Sequence, residues 1–579
     1  MQHLTAIDAA FLQMETAQTP MHLASVHMLK LPPGYKGDFP EEFKRHIQSR
    51  LHLASMLERK LVTMPLDLAN PVWVHDDAID IDYHVRRLSL PSPGTHAQLM
   101  GVVGRLHSIP MDRSRPLWEI ALIEGVQGGG YAMVLKVHHA GLDGMAGQRL
   151  IEALFDATST PRVVAPPKGK HRAASTSTRS LFVASLGNAA TQTMRLVRNL
   201  PGTTRMVLGM LQGMRAATGE ENAKPKKRLF SFGPPRVSFN TTVTNQRLFA
   251  GCSMPISDMK VITKARGCTL NDVVMAVAAG ALRRYLLRKD DLPDRSLLAM
   301  MPVSIRAPGD LEMSNRVSAA RCDLHTDIEE PIARLQAICR STADIKRNLE
   351  NTRKGMPTDF PSIGVPWLLP SVVALVGKLH LADRLPPIAN VVVSNVAVSP
   401  VSIYIAGAQV MSYWPILILM HGMGLGLATH SYAGSMQWGV IGCRRSLPDV
   451  DDFADDLMAS FAELLAAAGA QAQSLPAVVD LQAAKPATRK GLANKTTRAK
   501  AEPTKPAIAK AKAKASAKST AKASAKRDGT MSVPGAGKPR VVAAKKVTTR
   551  RKRLTGTAQA EQPKLTLTPK PPQTQKISA

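Results

Sequence analysis

Two periodicities alternate along the first 158 residues. In FPEEFKRHIQSRLHLASMLERKLV, residues 39–62, Phe43, Ile47, Leu51 and Leu57 recur near helical spacing and predict one amphipathic helix. YAMVLKVH, residues 131–138, reads as a strand. Tyr131, Met133, Leu135 and Val137 share one face, and Lys136 and His138 the other. GMAGQRLIEALFDA then predicts a helix, with Ala146, Leu150, Ile151, Leu154 and Phe155 on one side. From residue 238 onward the alternation resumes. TLNDVVMAVAAGALRRYLLRKD carries a helical stripe of Val273, Val274, Val277, Ala281, Leu282 and Tyr285, and its basic residues gather at the end where they complement the helix dipole. The overall pattern predicts an α/β chain.

Residues 385–443 contain no Asp, Glu, Lys or Arg. A membrane-spanning helix needs about 20 uninterrupted apolar residues, whereas Asn390, Asn395, Pro400 and Pro415 break this stretch. Its pieces, NVVVSNV, SIYIAG, PILILM and MQWGVIG, predict short strands buried on both faces. Met411, Met420 and Met423 suit either a packed core or an apolar tunnel for acyl chains.

Charge divides the chain further. The net charge is +31, yet residues 471–579 alone hold 25 Lys and Arg against 4 Asp and Glu. This Lys- and Ala-rich tail has almost no aromatic content, cannot bury enough apolar surface to offset ordering entropy, and is expected to be disordered. Runs such as AKAKASAKSTAKASAK can bind polyanions non-specifically, or simply solubilise. Residues 159–237 are Pro-, Lys- and Ser-rich at both ends and read as a linker. Between those ends Met206, Met210 and Met214 mark a basic helical stretch that could lie on an anionic membrane surface or pack on the protein itself. The expected organisation is therefore 1–158, a linker over 159–237, 238–470, and the tail over 471–579. Five scattered cysteines without a CxxC pair, and an N-terminus lacking a basic segment followed by an apolar one, predict a cytoplasmic protein without disulfides.

The candidate chemistry lies where the strand ends, in HHAGLDG, residues 138–144. Strand alternation sends His138 and His139 to opposite sides, and no neighbouring cluster supplies a third ligand, so a metal is not expected. One histidine at a strand end can act as general base. Asp143 could fix the local geometry through an ion pair or backbone hydrogen bonds, and Gly144 permits a tight turn or a close ligand approach. On these residues alone, a His-His pair is more often structural than catalytic.

HHAGLDG also resembles the HHxxxDG signature of coenzyme A-dependent acyltransferases. LTAIDAAFLQMET with PMHLASVHML, RPLWEIALIEG, TLNDVVMAVAAGALRRYL and NVVVSNV are similar, in order, to the motifs of the bacterial wax ester synthase/diacylglycerol acyltransferase family. The similarity runs over about residues 1–465; two positions depart from it, Ala397-Val398-Ser399 after Ser394-Asn395-Val396, and Ser314-Asn315 after MPVSIR. The resemblance implies two chloramphenicol acetyltransferase-like domains joined by a crossover linker. It also implies transfer of a fatty acyl group from acyl-CoA, as substrate and without a cofactor, to diacylglycerol or a long-chain alcohol. By that carry-over His139 is the base and no acyl-enzyme forms, with His138, Asp143 and Gly144 supporting the loop. Asn271 and Asp272 are candidates for substrate binding or for helix capping, and Asn395 for holding the thioester region. Trp118 is expected in the core. Peripheral contact with a membrane or lipid droplet would suit such substrates. The alternatives are a non-lipid acceptor on the same fold, or an inactive relative that binds polyanions through its tail.

Overall fold

The computed structural model describes residues 2–4, 6–63, 70–142, 146–166, 233–304, 317–352 and 375–469. Asp143, Gly144, Ser314-Asn315, the Met206–Met214 stretch and the tail lie outside the described residues. The chain begins with β1 (Gln2–His3), α1 (Ala6–Met14), β2 (His22–Lys30) and α2 (Phe39–Gln48). It continues through β3 (Arg59–Val62), β4 (Val72–His75), α3 (Ile81–His84) and β5 (Val85–Ser89). Next come α4 (His96–Ser108), β6 (Trp118–Glu124), β7 (Tyr131–His138) and α5 (Ala146–Leu154). The C-terminal half holds β8 (Arg247–Pro255), α6 (Ile256–Arg266), α7 (Leu270–Arg288), β9 (Leu298–Ser304), β10 (Val317–Asp323) and α8 (Pro331–Thr352). It closes with β11 (Val391–Ser399), β12 (Tyr404–Ile405), β13 (Ala408–Ile416), β14 (Leu425–Tyr432), β15 (Ser435–Cys443) and α9 (Val450–Ala467).

These strands form two six-stranded mixed sheets and one small three-stranded sheet. The first large sheet runs β12-β13-β2-β7-β6-β5, and the second β10-β9-β11-β14-β15-β8. In the first, β7 lies between β2 and β6, antiparallel to both, and is buried on its two faces. Met133, Leu135 and Val137 pack with Phe39, Phe43 and Trp118, while Ala132 and Val134 pack with Val26 and Ile123. The charged Lys136 is buried within this strand. Its ammonium pairs with Glu119 at 3.0 Å and donates to the carbonyls of Leu106 and Ile109, satisfying the C-terminal end of α4.

The hairpin β12–β13 falls in the C-terminal half of the sequence but adds to β2, so the first sheet draws on both halves of the chain. Two glycines let β13 cross the second sheet closely. A Cβ at Gly439 would stand 1.7 Å from the Pro415 carbonyl oxygen, and one at Gly251 would stand 2.6 Å from the Trp414 indole.

Four expectations change. The helix expected over 39–62 stops at Gln48, and two short 3-10 turns carry Leu51 and Leu57 into the core before β3 begins. Pairing with β4 demands an extended chain from Arg59, and buried Arg50 leaves the helix with its guanidinium on buried Asp156 at 2.8 Å. The charge-free strands are also not uniformly buried. β15 is buried from Met436 onward, whereas Asn395, Val396 and Ala397 of β11 are exposed. β9 pairs with β11 only at Val391 and Val392, which leaves β14 as the sole described strand beside the rest of β11. PILILM is not one strand, because β13 ends at Ile416. Met411 is exposed while Met423 is buried, so the methionines do not share one apolar wall. Among the described residues no helix is long and apolar enough to cross a membrane.

Candidate active site

β7 ends in the histidine pair, and the backbone there explains their different fates. His138 is the last strand residue, fully buried, and lies opposite His22 of β2. Its Nδ1 accepts the N–H of Ala140 at 3.1 Å, which caps a 3-10 turn over His139–Gly141. His139, one residue on, leaves the sheet half-buried, with its backbone N–H bonded to the Met21 carbonyl at 2.9 Å. The Phe11 ring of α1 stacks on the His139 imidazole with centroids 3.8 Å apart and planes 17° from parallel.

Burial lowers the pKa of His139 from its ordinary 6.5 to about 4, opposed by its own backbone carbonyl and assisted by the neighbouring His138. The ring is therefore neutral at pH 7, the form required of a base. Its Nδ1 is buried and has no hydrogen-bond partner among the described residues.

Three residues that carried no role in the sequence reading complete this corner. Phe11 is the first. Glu15 follows α1 in the quoted LQMET, and its Oε1 accepts the Met21 N–H at 3.0 Å and stands 3.4 Å from His138 Nε2. Its Oε2 receives Arg113 Nε at 3.0 Å and a terminal guanidinium nitrogen at 2.7 Å. Burial alone would raise the Glu15 pKa, but the contacts to His138, Arg113 and Met21 outweigh it and hold the carboxyl at about 2. The available signal was position: Phe11 and Glu15 lie in one family-like motif, and Arg113 stands two residues before another, RPLWEIALIEG.

The second candidate group sits in the other sheet. Asp272 is buried, and its carboxylate accepts from Thr269 N and Oγ1 at 2.8 and 2.7 Å and from Thr342 Oγ1 at 2.6 Å. With the Thr269 side chain accepting the Asp272 N–H, this is a capping box at the start of α7. Asn271 points elsewhere, its Oδ1 accepting from Asn395 Nδ2 at 3.3 Å, while Asn395 Oδ1 accepts from Thr429 Oγ1 at 3.0 Å. The structure thus joins Asn271 to Asn395. No hydrogen bond among the described residues links that pair to the histidine corner. Trp118 is fully buried, with its Nε1 donating to the Leu57 carbonyl, as a core residue should. Among the described residues no group of three or more His, Cys, Asp or Glu is placed to hold a metal ion.

Comparison with known proteins places this geometry. Residues 4–274 match the wax ester synthase/diacylglycerol acyltransferase catalytic domain, and residues 313–465 match the C-terminal domain of the same family. A Mycobacterium tuberculosis protein named as a diacylglycerol O-acyltransferase is 34% identical over 472 residues, covering 80% of this chain and 100% of the relative. A Mycobacterium bovis protein of the same name is 33% identical over 472 residues, covering 81% and 100%. Among solved structures, the wax ester synthase/diacylglycerol acyltransferase from Marinobacter aquaeolei VT8 superposes with a TM-score of 0.57 at 28% identity, over 81% of this chain and all of that one. With both family domains matched in order over most of its length, the chain belongs to the wax ester synthase/diacylglycerol acyltransferase family.

Proposed function

We propose that this enzyme moves a fatty acyl group from acyl-CoA to the hydroxyl of diacylglycerol or a long-chain alcohol, with His139 as general base. One observation carries the proposal. In a chain of this family, the second histidine of HHxxxDG stands just past the end of a central strand, neutral and not fully buried, while the first is sealed in the core. In this reading His139 removes the acceptor O–H proton as the oxygen attacks the thioester carbonyl. The tetrahedral adduct collapses, the C–S bond breaks, and the proton passes to the departing CoA thiolate. A positioned base of this kind contributes about 10² to 10⁴ in rate. The scheme uses acyl-CoA as substrate, requires no cofactor and forms no acyl-enzyme.

His138 serves the turn rather than the substrate, supported by its burial and its bond to Ala140. Asp143 and Gly144 are assigned to the same loop by the family motif. Asn271 donates one amide N–H to Met301 Sδ and Asn395 donates one to Asn271, and among the described residues the second N–H of each is not taken up, which suits them to a polar group of the substrate, whereas the Asp272 oxygens are occupied by the cap and Thr342. Contact with a lipid surface belongs to the same proposal. It is supported by exposed Leu379, Leu385 and Ile388 beside exposed Lys378 and Arg384.

The deciding experiment is an acceptor panel with palmitoyl-CoA. CoA release that depends on added diacylglycerol or hexadecanol is the expected result. Release only with amine or sugar acceptors would replace the lipid reading.

A further inference from the structure

We propose that Glu15 is a positioning residue that holds the backbone of His139 from both sides, with Arg113 fixing its carboxylate. The inference rests on His139 being the base.

Two routes lead from this one carboxylate to the same residue. Along the first, Oε1 accepts the Met21 N–H at 3.0 Å, and the Met21 carbonyl in turn accepts the His139 N–H at 2.9 Å. Along the second, Oε1 stands 3.4 Å from His138 Nε2, while His138 Nδ1 accepts the Ala140 N–H at 3.1 Å. Because Nδ1 is an acceptor there, the hydrogen-bond network places the proton of a neutral His138 on Nε2, facing the carboxylate. The Glu15 carboxylate thus lies beside the Nε2–H of the tautomer that caps the turn on which His139 sits. One route fixes the residue before Ala140, and the other fixes Ala140 itself.

Arg113 makes the third connection. It donates twice to Glu15 Oε2 and once, at 2.7 Å, to the Leu12 carbonyl in the last turn of α1. That helix carries Phe11, whose ring stacks on His139. The imidazole plane and the backbone beneath it are thus tied to one guanidinium–carboxylate pair. The Glu15 side chain is only 7% exposed, and its oxygens are occupied by these contacts, which leaves it a supporting role without contact to substrate. A buried acid that served stability alone would not need to touch His138, reach the His139 backbone by way of Met21, and share Arg113 with the helix stacked on His139.

Glu15→Gln keeps size and one acceptor but removes the charge that pairs with Arg113 and faces His138. Misplacing a reacting group by a fraction of its size can cost about 10² in rate. The expected result is a kcat loss of about 10- to 100-fold with the acyl-CoA KM within about twofold of wild type. Arg113→Lys, which keeps charge but loses the two-donor fork, should give a smaller kcat loss with the same unchanged KM. It decides the matter if Glu15→Gln does not fold. Wild-type kcat in the folded variants, or a KM that rises as far as kcat falls, would overturn the proposal. His139→Ala is assayed in parallel. If that variant is active, the base reading itself fails; if it is inactive while Glu15→Gln turns over normally, only this inference falls.

Discussion

A histidine works as a base only while its ring is neutral and free to reach a proton, and His139 meets the first condition through burial against Phe11. Burial sets its pKa near 4, so base competence should be complete at neutral pH and lost as the pH falls through that value. Phe11→Ala exposes the ring and removes part of that desolvation. The acid limb of kcat/KM should then move up toward 6.5, by as much as about two units, and a limb that stays in place would contradict the role given to Phe11. At this scale the sequence announced the histidine pair and sent its members to opposite sides, without saying which of them would be buried. It did not announce Glu15 and Arg113 as partners. Their contact is made by α1 folding over the end of β7, and nothing in local periodicity encodes that approach.

Among the elements, α7 illustrates how much packing adds to pattern. Its helical stripe was legible in the sequence, yet it is buried on nearly every side from Asp272 to Leu282, beyond what a stripe requires. α9 covers it, with Ser460 Oγ donating to the Val277 carbonyl at 3.0 Å and Arg288 meeting Asp456 at 2.8 Å. Thr269→Ala removes half of the capping box and should cost about 1 kcal/mol in denaturant unfolding. Turnover per folded molecule should stay unchanged, and a turnover loss without a stability loss would move Asp272 from the cap to the substrate. The segment 39–62 failed as a single helix for the opposite reason. Its apolar spacing was helical, but strand pairing from Arg59 and the buried Arg50–Asp156 pair overrode it. Asp156→Ala leaves that guanidinium buried without its carboxylate, so a loss of about 3–5 kcal/mol is expected. A loss below about 1 kcal/mol would show that water replaces the pair.

For the whole molecule, buried neutral histidines are a shared liability. Burial lowers the pKa of His27, His107 and His430 to about 3 and of His46 to about 4, while His22 is lowered well below its ordinary value. Unfolded, each takes up a proton near 6.5; folded, each resists it. Their contribution to stability is therefore intact above pH 6.5 and lost as the pH falls from 6.5 toward 3. Denaturant midpoints measured at pH 7.5 and 5 should drop clearly at the lower value, and equal midpoints would contradict neutral burial. The two α/β halves were legible from alternating periodicities. The exchange of β12–β13 into the first sheet was not, because strand pattern specifies burial and leaves the choice of partner to tertiary packing. The central claim is that His139 supplies the base. Its most direct test is acceptor-dependent release of CoA from palmitoyl-CoA by the full-length protein and its His139→Ala variant, with folding checked by circular dichroism. The account predicts release by the wild type only when diacylglycerol or hexadecanol is present, and a loss of about 10² or more in the variant. Release by folded His139→Ala at the wild-type rate would contradict it.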